Sequence, residues 1–65
     1  MPVIQVTLGK IDKEQKRELI ERLTRTAIEI TKIPANEFTV SIIELDYDNI
    51  GRAGKTLSDT FAAQK

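Results

Sequence analysis

The spacing of hydrophobic and polar positions changes period twice along this chain of 65 residues. Residues 2–8 alternate, with Ile4, Val6 and Leu8 on one side and Val3, Gln5 and Thr7 on the other, which predicts a β-strand rich in β-branched residues. Gly9-Lys10-Ile11 breaks the alternation, Asp12 offers an N-cap, and Gln15 three residues on completes a capping-box pattern. From Lys13 to Lys32 the period becomes helical, with Leu19, Ile20, Leu23, Ala27 and Ile30 on one stripe. The charged residues fall mostly elsewhere and include two favourable i,i+4 pairs, Glu18–Arg22 and Glu21–Arg25, which read as a solvated face. Lys32 closes the last turn and Pro34 stops continuation. Alternation returns over 37–45, with Phe38, Val40 and Ile42 opposed to Thr39, Ser41 and Ile43. Asp46-Tyr47-Asp48-Asn49 then reads as a turn or loop. Leu57 and Phe61, four apart, predict a short tail helix or hairpin arm before a fraying end at Ala62–Lys65.

Two strands joined by a helix of this length make an α+β chain built on a single β-α-β unit, with parallel strands, a right-handed crossover and a short C-terminal arm. The whole of 1–65 reads as one domain. One helix covers the Ile4/Val6/Leu8 and Phe38/Val40/Ile42 face, whereas the face carrying Val3 and Ile43 has no cover within the chain. Two strands under one helix are not independently stable in water, and both strand edges stay open. The pattern therefore predicts a subunit that pairs sheet edges with a copy of itself and buries its second face in a closed assembly.

Composition narrows the chemistry. The chain has no cysteine and no histidine, which excludes disulfides, thiolate zinc sites and the two commonest side chains for nucleophilic and general-base work near neutral pH. No metal and no cofactor is implied. Ten Lys+Arg balance ten Asp+Glu, against a nucleic-acid binder. No apolar run approaches a membrane span, and the start lacks a signal-peptide pattern, so a cytoplasmic protein is expected. Gly51-Arg52-Ala53-Gly54-Lys55-Thr56 ends like a phosphate-binding loop, but Asn49 occupies the position of the required first glycine and no room remains for a nucleotide-binding domain.

Against this background Pro2 stands out. Methionine is normally removed before a residue as small as proline, and removal exposes a secondary amine at the mouth of the first strand. With no His or Cys, that amine is the leading candidate for proton exchange near pH 7. The plainer reading is that Pro2 only begins an edge strand, where its missing N–H does no harm.

Pro2 with its following strand, Glu14-Gln15-Lys16, Leu19-Ile20, Ile42-Ile43-Glu44 and Gly51-x-Ala53-Gly54-Lys55, in this order and spacing, resemble the 4-oxalocrotonate tautomerase family over nearly the whole chain. The resemblance implies the tautomerase fold, assembly as a homohexamer (a trimer of dimers) or a related oligomer, and a cofactor-independent isomerase. Its substrate would be a small carboxylate, a 2-hydroxydienoate or 2-oxo acid enol such as 2-hydroxymuconate, with Pro2 as general base and acid. The chain departs from the family at three places. Lys10, in a loop one residue shorter, is the nearest cation to the family's first arginine; Thr39 falls on the second; Ile50 falls on the aromatic pocket residue. Arg52, in the arm, is the substitute cation the resemblance suggests. Lys10 and Arg52 each retain the alternative of being plain loop charges. A non-catalytic oligomer, or a proline-dependent hydratase or dehalogenase of the same fold, are the rival readings.

Overall fold

A computed structural model describes residues 2–63. Strand β1 (Val3–Leu8) runs into helix α1 (Lys13–Thr31) and returns through a 3₁₀ turn at Ala35–Glu37 to strand β2 (Thr39–Glu44). A second 3₁₀ turn at Tyr47–Asn49 leads to an arm made of β3 (Gly51–Arg52), β4 (Lys55–Thr56) and helix α2 (Leu57–Ala63). β1 and β2 pair in parallel, from Val3 opposite Thr39 to Leu8 opposite Glu44. β3 and β4 pair antiparallel. The arm is thus both hairpin and tail helix; Ala62 and Ala63, expected to fray, continue α2. Gln64, Lys65 and Met1 lie outside the described residues. None of the described helices is long and apolar enough to cross a membrane.

Local chemistry sets the element ends. The Asp12 carboxylate accepts from the Gln15 amide at 2.8 Å, and the Gln15 side chain accepts from the Asp12 amide at 3.0 Å, the reciprocal box that starts α1. The helix ends at Lys32, which turns left-handed (φ 64°) while its N–H reaches the Ile28 carbonyl. In the arm, Ala53 (φ 54°) and Gly54 (φ 80°) both take positive φ at the centre of a two-residue hairpin. That is the backbone whose twist matches paired strands. Of the two expected i,i+4 ion pairs, Glu18–Arg22 forms; Glu21–Arg25 is not closed among the described residues, and Glu14 pairs instead with Arg17 at 3.5 Å.

Packing follows the alternation. Ile4, Val6, Leu8, Phe38, Val40 and Ile42 are half-buried under Leu19, Leu23 and Ala27, while Val3 (55% exposed) and Ile43 (39%) lie on the bare face. The stripe reading fails at Ile30, which is 76% exposed, and at Ile20, which is 40% exposed. Nineteen helical residues span about 28 Å, against about 20 Å for six-residue strands, so the last turn overruns the sheet. Leu57 alone among the described residues is buried (7% exposed). Its amide donates to the Ile50 carbonyl at 2.8 Å, tying α2 back to the entrance of the arm.

Two residues, Tyr47 and Glu44, close the end of the sheet where β1 and β2 finish. Tyr47 meets Phe61 edge-to-face at 4.9 Å between centroids, and its ring lies so close to Gly9 that a Cβ there would sit 2.3 Å from Cε1. Glu44, the last residue of β2, accepts from the Ile11 amide at 3.1 Å and from the Lys16 ammonium at 2.6 Å, clamping the β1–α1 loop to the sheet. The Lys16 hydrogen bond, then the Ile11 amide, hold the Glu44 carboxyl below its ordinary pKa of 4.5.

Removing the cap with Asp12→Ala is expected to lower stability by about 1 kcal/mol, and Gly9→Ala, which drives a methyl into the Tyr47 ring, by about 1–3 kcal/mol. Urea unfolding at fixed protein concentration checks both. Because the folded pKa of Glu44 is depressed, the stability it contributes is present above pH 4.5 and is lost as pH falls through the lower folded value. Comparing urea midpoints at pH 6 and pH 3 should show a smaller acid loss in Glu44→Gln than in the unaltered protein.

Candidate active site

Parallel pairing in register brings the beginnings of both strands together. Pro2 enters β1 directly, is half-buried, and its carbonyl accepts from the Thr39 amide at 3.1 Å. The ring nitrogen, which carries no peptide proton, takes no part in the ladder, so the fold spares this atom from structural duty. Thr39 is the first residue of β2 and lies opposite Val3, exposed on the bare face. Pro2 and Thr39 are therefore neighbours, but Thr39 brings a hydroxyl and no charge.

The other candidate residues lie towards the far end. Six strand residues at about 3.3 Å each separate the start of β1 from its finish by about 20 Å, and Lys10 lies past that finish. Ile50 and Arg52 belong to the arm, which leaves the same end after Glu44. Ile50 is half-buried at the root of the arm, with its carbonyl bonded to Leu57. Arg52 is exposed and closes no ion pair among the described residues. A single chain thus brings Pro2 to Thr39, and separates both from Lys10 by the length of the sheet.

Lys10 is not a free cation. Its ammonium lies 2.8 Å from Asp46 Oδ1, with both side chains well exposed (74% and 58%). The hydrogen bond and the negative charge of Asp46 raise the Lys10 pKa above its ordinary 10.5. In the sequence Asp46 reads only as part of a turn, with nothing local to pair it with Lys10. The available signal was two acids in Asp46-Tyr47-Asp48 facing a loop that a parallel register must bring alongside.

This pair opens one wall of a cleft of about 340 Å³, completed by Leu45, Tyr47, Asp48 and Ser58. The Ser58 hydroxyl donates to Asp48 at 2.5 Å. A second, more apolar groove of about 410 Å³ runs between β1 and α1, with Leu8, Ile11, Leu19 and Leu23 among its walls and Glu18 and Arg22 at its rim. Among the described residues no three His, Cys, Asp or Glu side chains gather as metal ligands.

Comparison with known proteins agrees with this architecture. A sequence model described as Tautomerase enzyme matches residues 2–60. The 2-hydroxymuconate tautomerase of Bacillus subtilis is 39% identical over 61 residues, covering 91% of this chain and 97% of that protein. The crystal structure of DmpI from Archaeoglobus fulgidus superposes with a TM-score of 0.83 at 40% identity, over 89% of this chain and all of that one. TomN, a 4-oxalocrotonate tautomerase homologue of the tomaymycin biosynthetic pathway, gives a TM-score of 0.94 at 25% identity, over 98% of this chain and all of its own. A β-α-β unit with proline at the head of β1, matched over nearly its whole length, makes this chain a member of the tautomerase family, whose enzymes are isomerases.

Proposed function

We propose that the protein is a cofactor-independent keto–enol tautomerase of 2-hydroxydienoates and 2-oxo acid enols, with the Pro2 amine as the proton carrier once Met1 is removed. The observation that carries this reading is the placement of Pro2: half-buried, held by its carbonyl, and with its nitrogen outside the ladder, in a chain that has no His or Cys. A secondary ammonium in a partly apolar setting loses stability relative to the neutral amine, which lowers its pKa. The neutral amine takes the hydroxyl proton of the enol as the C=O bond forms and returns a proton to carbon as the C=C electrons move. The formula is unchanged and the amine is regenerated. Arg52 is the group that attracts the substrate carboxylate, Lys10 is a further cation held by Asp46, Thr39 offers a hydroxyl beside Pro2, and Ile50 supplies apolar wall.

The site is completed by other copies of the chain. The protomer has a radius of gyration of 15.4 Å, against about 11 Å for a compact domain of this length. It exposes 5164 Å², against about 4,200 Å² for a compact monomer of its mass. The outer edge of β1 is unpaired within the described residues and borders the apolar groove of Leu8, Ile11, Leu19 and Leu23. Antiparallel pairing of two β1 edges would bring the beginning of one strand beside the finish of the other, which removes the separation seen in one chain. Burying the bare Val3/Ile43 face then calls for further copies, and a hexamer built as a trimer of dimers satisfies both needs.

Pro2→Ala is expected to reduce kcat for phenylenolpyruvate or 2-hydroxymuconate by about a hundredfold or more, the usual scale of a general acid–base contribution. Mass spectrometry should show the mature chain beginning at Pro2. Undiminished turnover in the variant would reject the assignment. Sedimentation should find no stably folded monomer at micromolar concentration; a folded monomer there contradicts the shared site.

A further inference from the structure

Resting on the tautomerase reading, we infer that Asp46 is a specificity-determining residue, which masks Lys10 and so tunes the site to substrates with one carboxylate rather than two. The two lysines at the finish of the sheet are both occupied. Thr39 has no charge. Lys16 is occupied by Glu44, and Lys10 by Asp46 at 2.8 Å. Asp48, bonded to Ser58, adds another carboxylate to the same cleft. Around the finish of β1 and β2 the two ammoniums of Lys10 and Lys16 are each paired with a carboxylate, and Asp48 adds a third carboxylate beside them. In the arm, Arg52 and Lys55, opposite each other in the hairpin, close no ion pair among the described residues and remain to hold one carboxylate without Lys10.

The mask is also soft. Both members of the Lys10–Asp46 pair are well exposed, and exposed pairs of this kind contribute little to stability. Asp46 can therefore be changed without dismantling the fold. It stands before the 3₁₀ turn of Tyr47–Asn49, where its carbonyl accepts from the Asn49 amide at 2.8 Å while its side chain makes no capping bond. An isosteric Asp46→Asn leaves that turn intact and removes only the charge opposing Lys10. The cleft beside the pair, about 340 Å³ with Leu45 and Tyr47 on its walls, has room for a small organic acid next to the released ammonium.

Calorimetric titration with muconate, which has two carboxylates, and with cinnamate, which has one, tests this in the oligomeric protein. Asp46→Asn is expected to tighten muconate on the order of threefold to tenfold, the effect of exposing one more unit charge to a second carboxylate near the surface, and cinnamate by less than about twofold. Raising the salt should shrink the gain. Lys10→Gln combined with Asp46→Asn should abolish it, a result that a purely structural role of Asp46 does not produce. An equal gain for both ligands, a gain that survives in the double variant, or no gain for muconate overturns the proposal. Because the readout is binding, it is independent of turnover: loss of the Pro2 assignment with the muconate pattern intact removes the chemistry and leaves the mask, and the converse removes the mask alone.

Discussion

A two-stranded sheet under one helix cannot bury its own apolar surface, and most of what is distinctive here follows from that shortage. Only Leu57 is buried among the described residues, and it anchors the arm rather than the sheet. The helix lays Leu19, Leu23 and Ala27 over one face, overruns the strands, and leaves Ile30 in solvent. The opposite face, with Val3 and Ile43, has no cover. At roughly 25 cal/mol per Å² of apolar surface, this much exposure leaves a 65-residue chain without enough hydrophobic stabilisation to offset its conformational entropy. The need for further surface is thus a thermodynamic property of the protomer.

The same geometry explains why one chain holds an incomplete site. Parallel strands in register gather their beginnings at one end, with Pro2 against Thr39, and their finishes at the other, with Glu44, Lys10 and the arm. Such a unit places its candidate base and Lys10 at opposite ends of one strand. The proposed antiparallel edge pairing would bury surface and bring those ends together, so stability and chemistry would ask for the same contact.

Polar interactions in the described chain serve mainly to shape the loop at the finish of the sheet. Glu44 clamps it through the Ile11 amide and Lys16, Asp46 holds Lys10, and Tyr47 fits over Gly9, where no side chain can stand. These contacts are individually weak and exposed. Together they decide which positive charges face outward, and therefore what kind of anion the surface attracts.

Much of this was legible along the chain, and the limits have physical causes. Alternation at 2–8 and 37–45, the Asp12/Gln15 box and the Pro34 stop are local signals, and each element began within two residues of where they put it. The bare face and the prominence of Pro2 followed from the same pattern and from the absence of His and Cys. Contacts between segments distant in sequence were not legible. The pairing of Lys10 with Asp46 spans 36 positions and exists only because Leu8 and Glu44 finish side by side. Ile30 matched the stripe by angle, yet angle carries no information about where the sheet ends. The sequence by itself determined the elements, their faces and the candidate base, because these depend on period and residue type. Tertiary structure decided which charges are neutralised and which residues share an end, because those depend on register across the sheet.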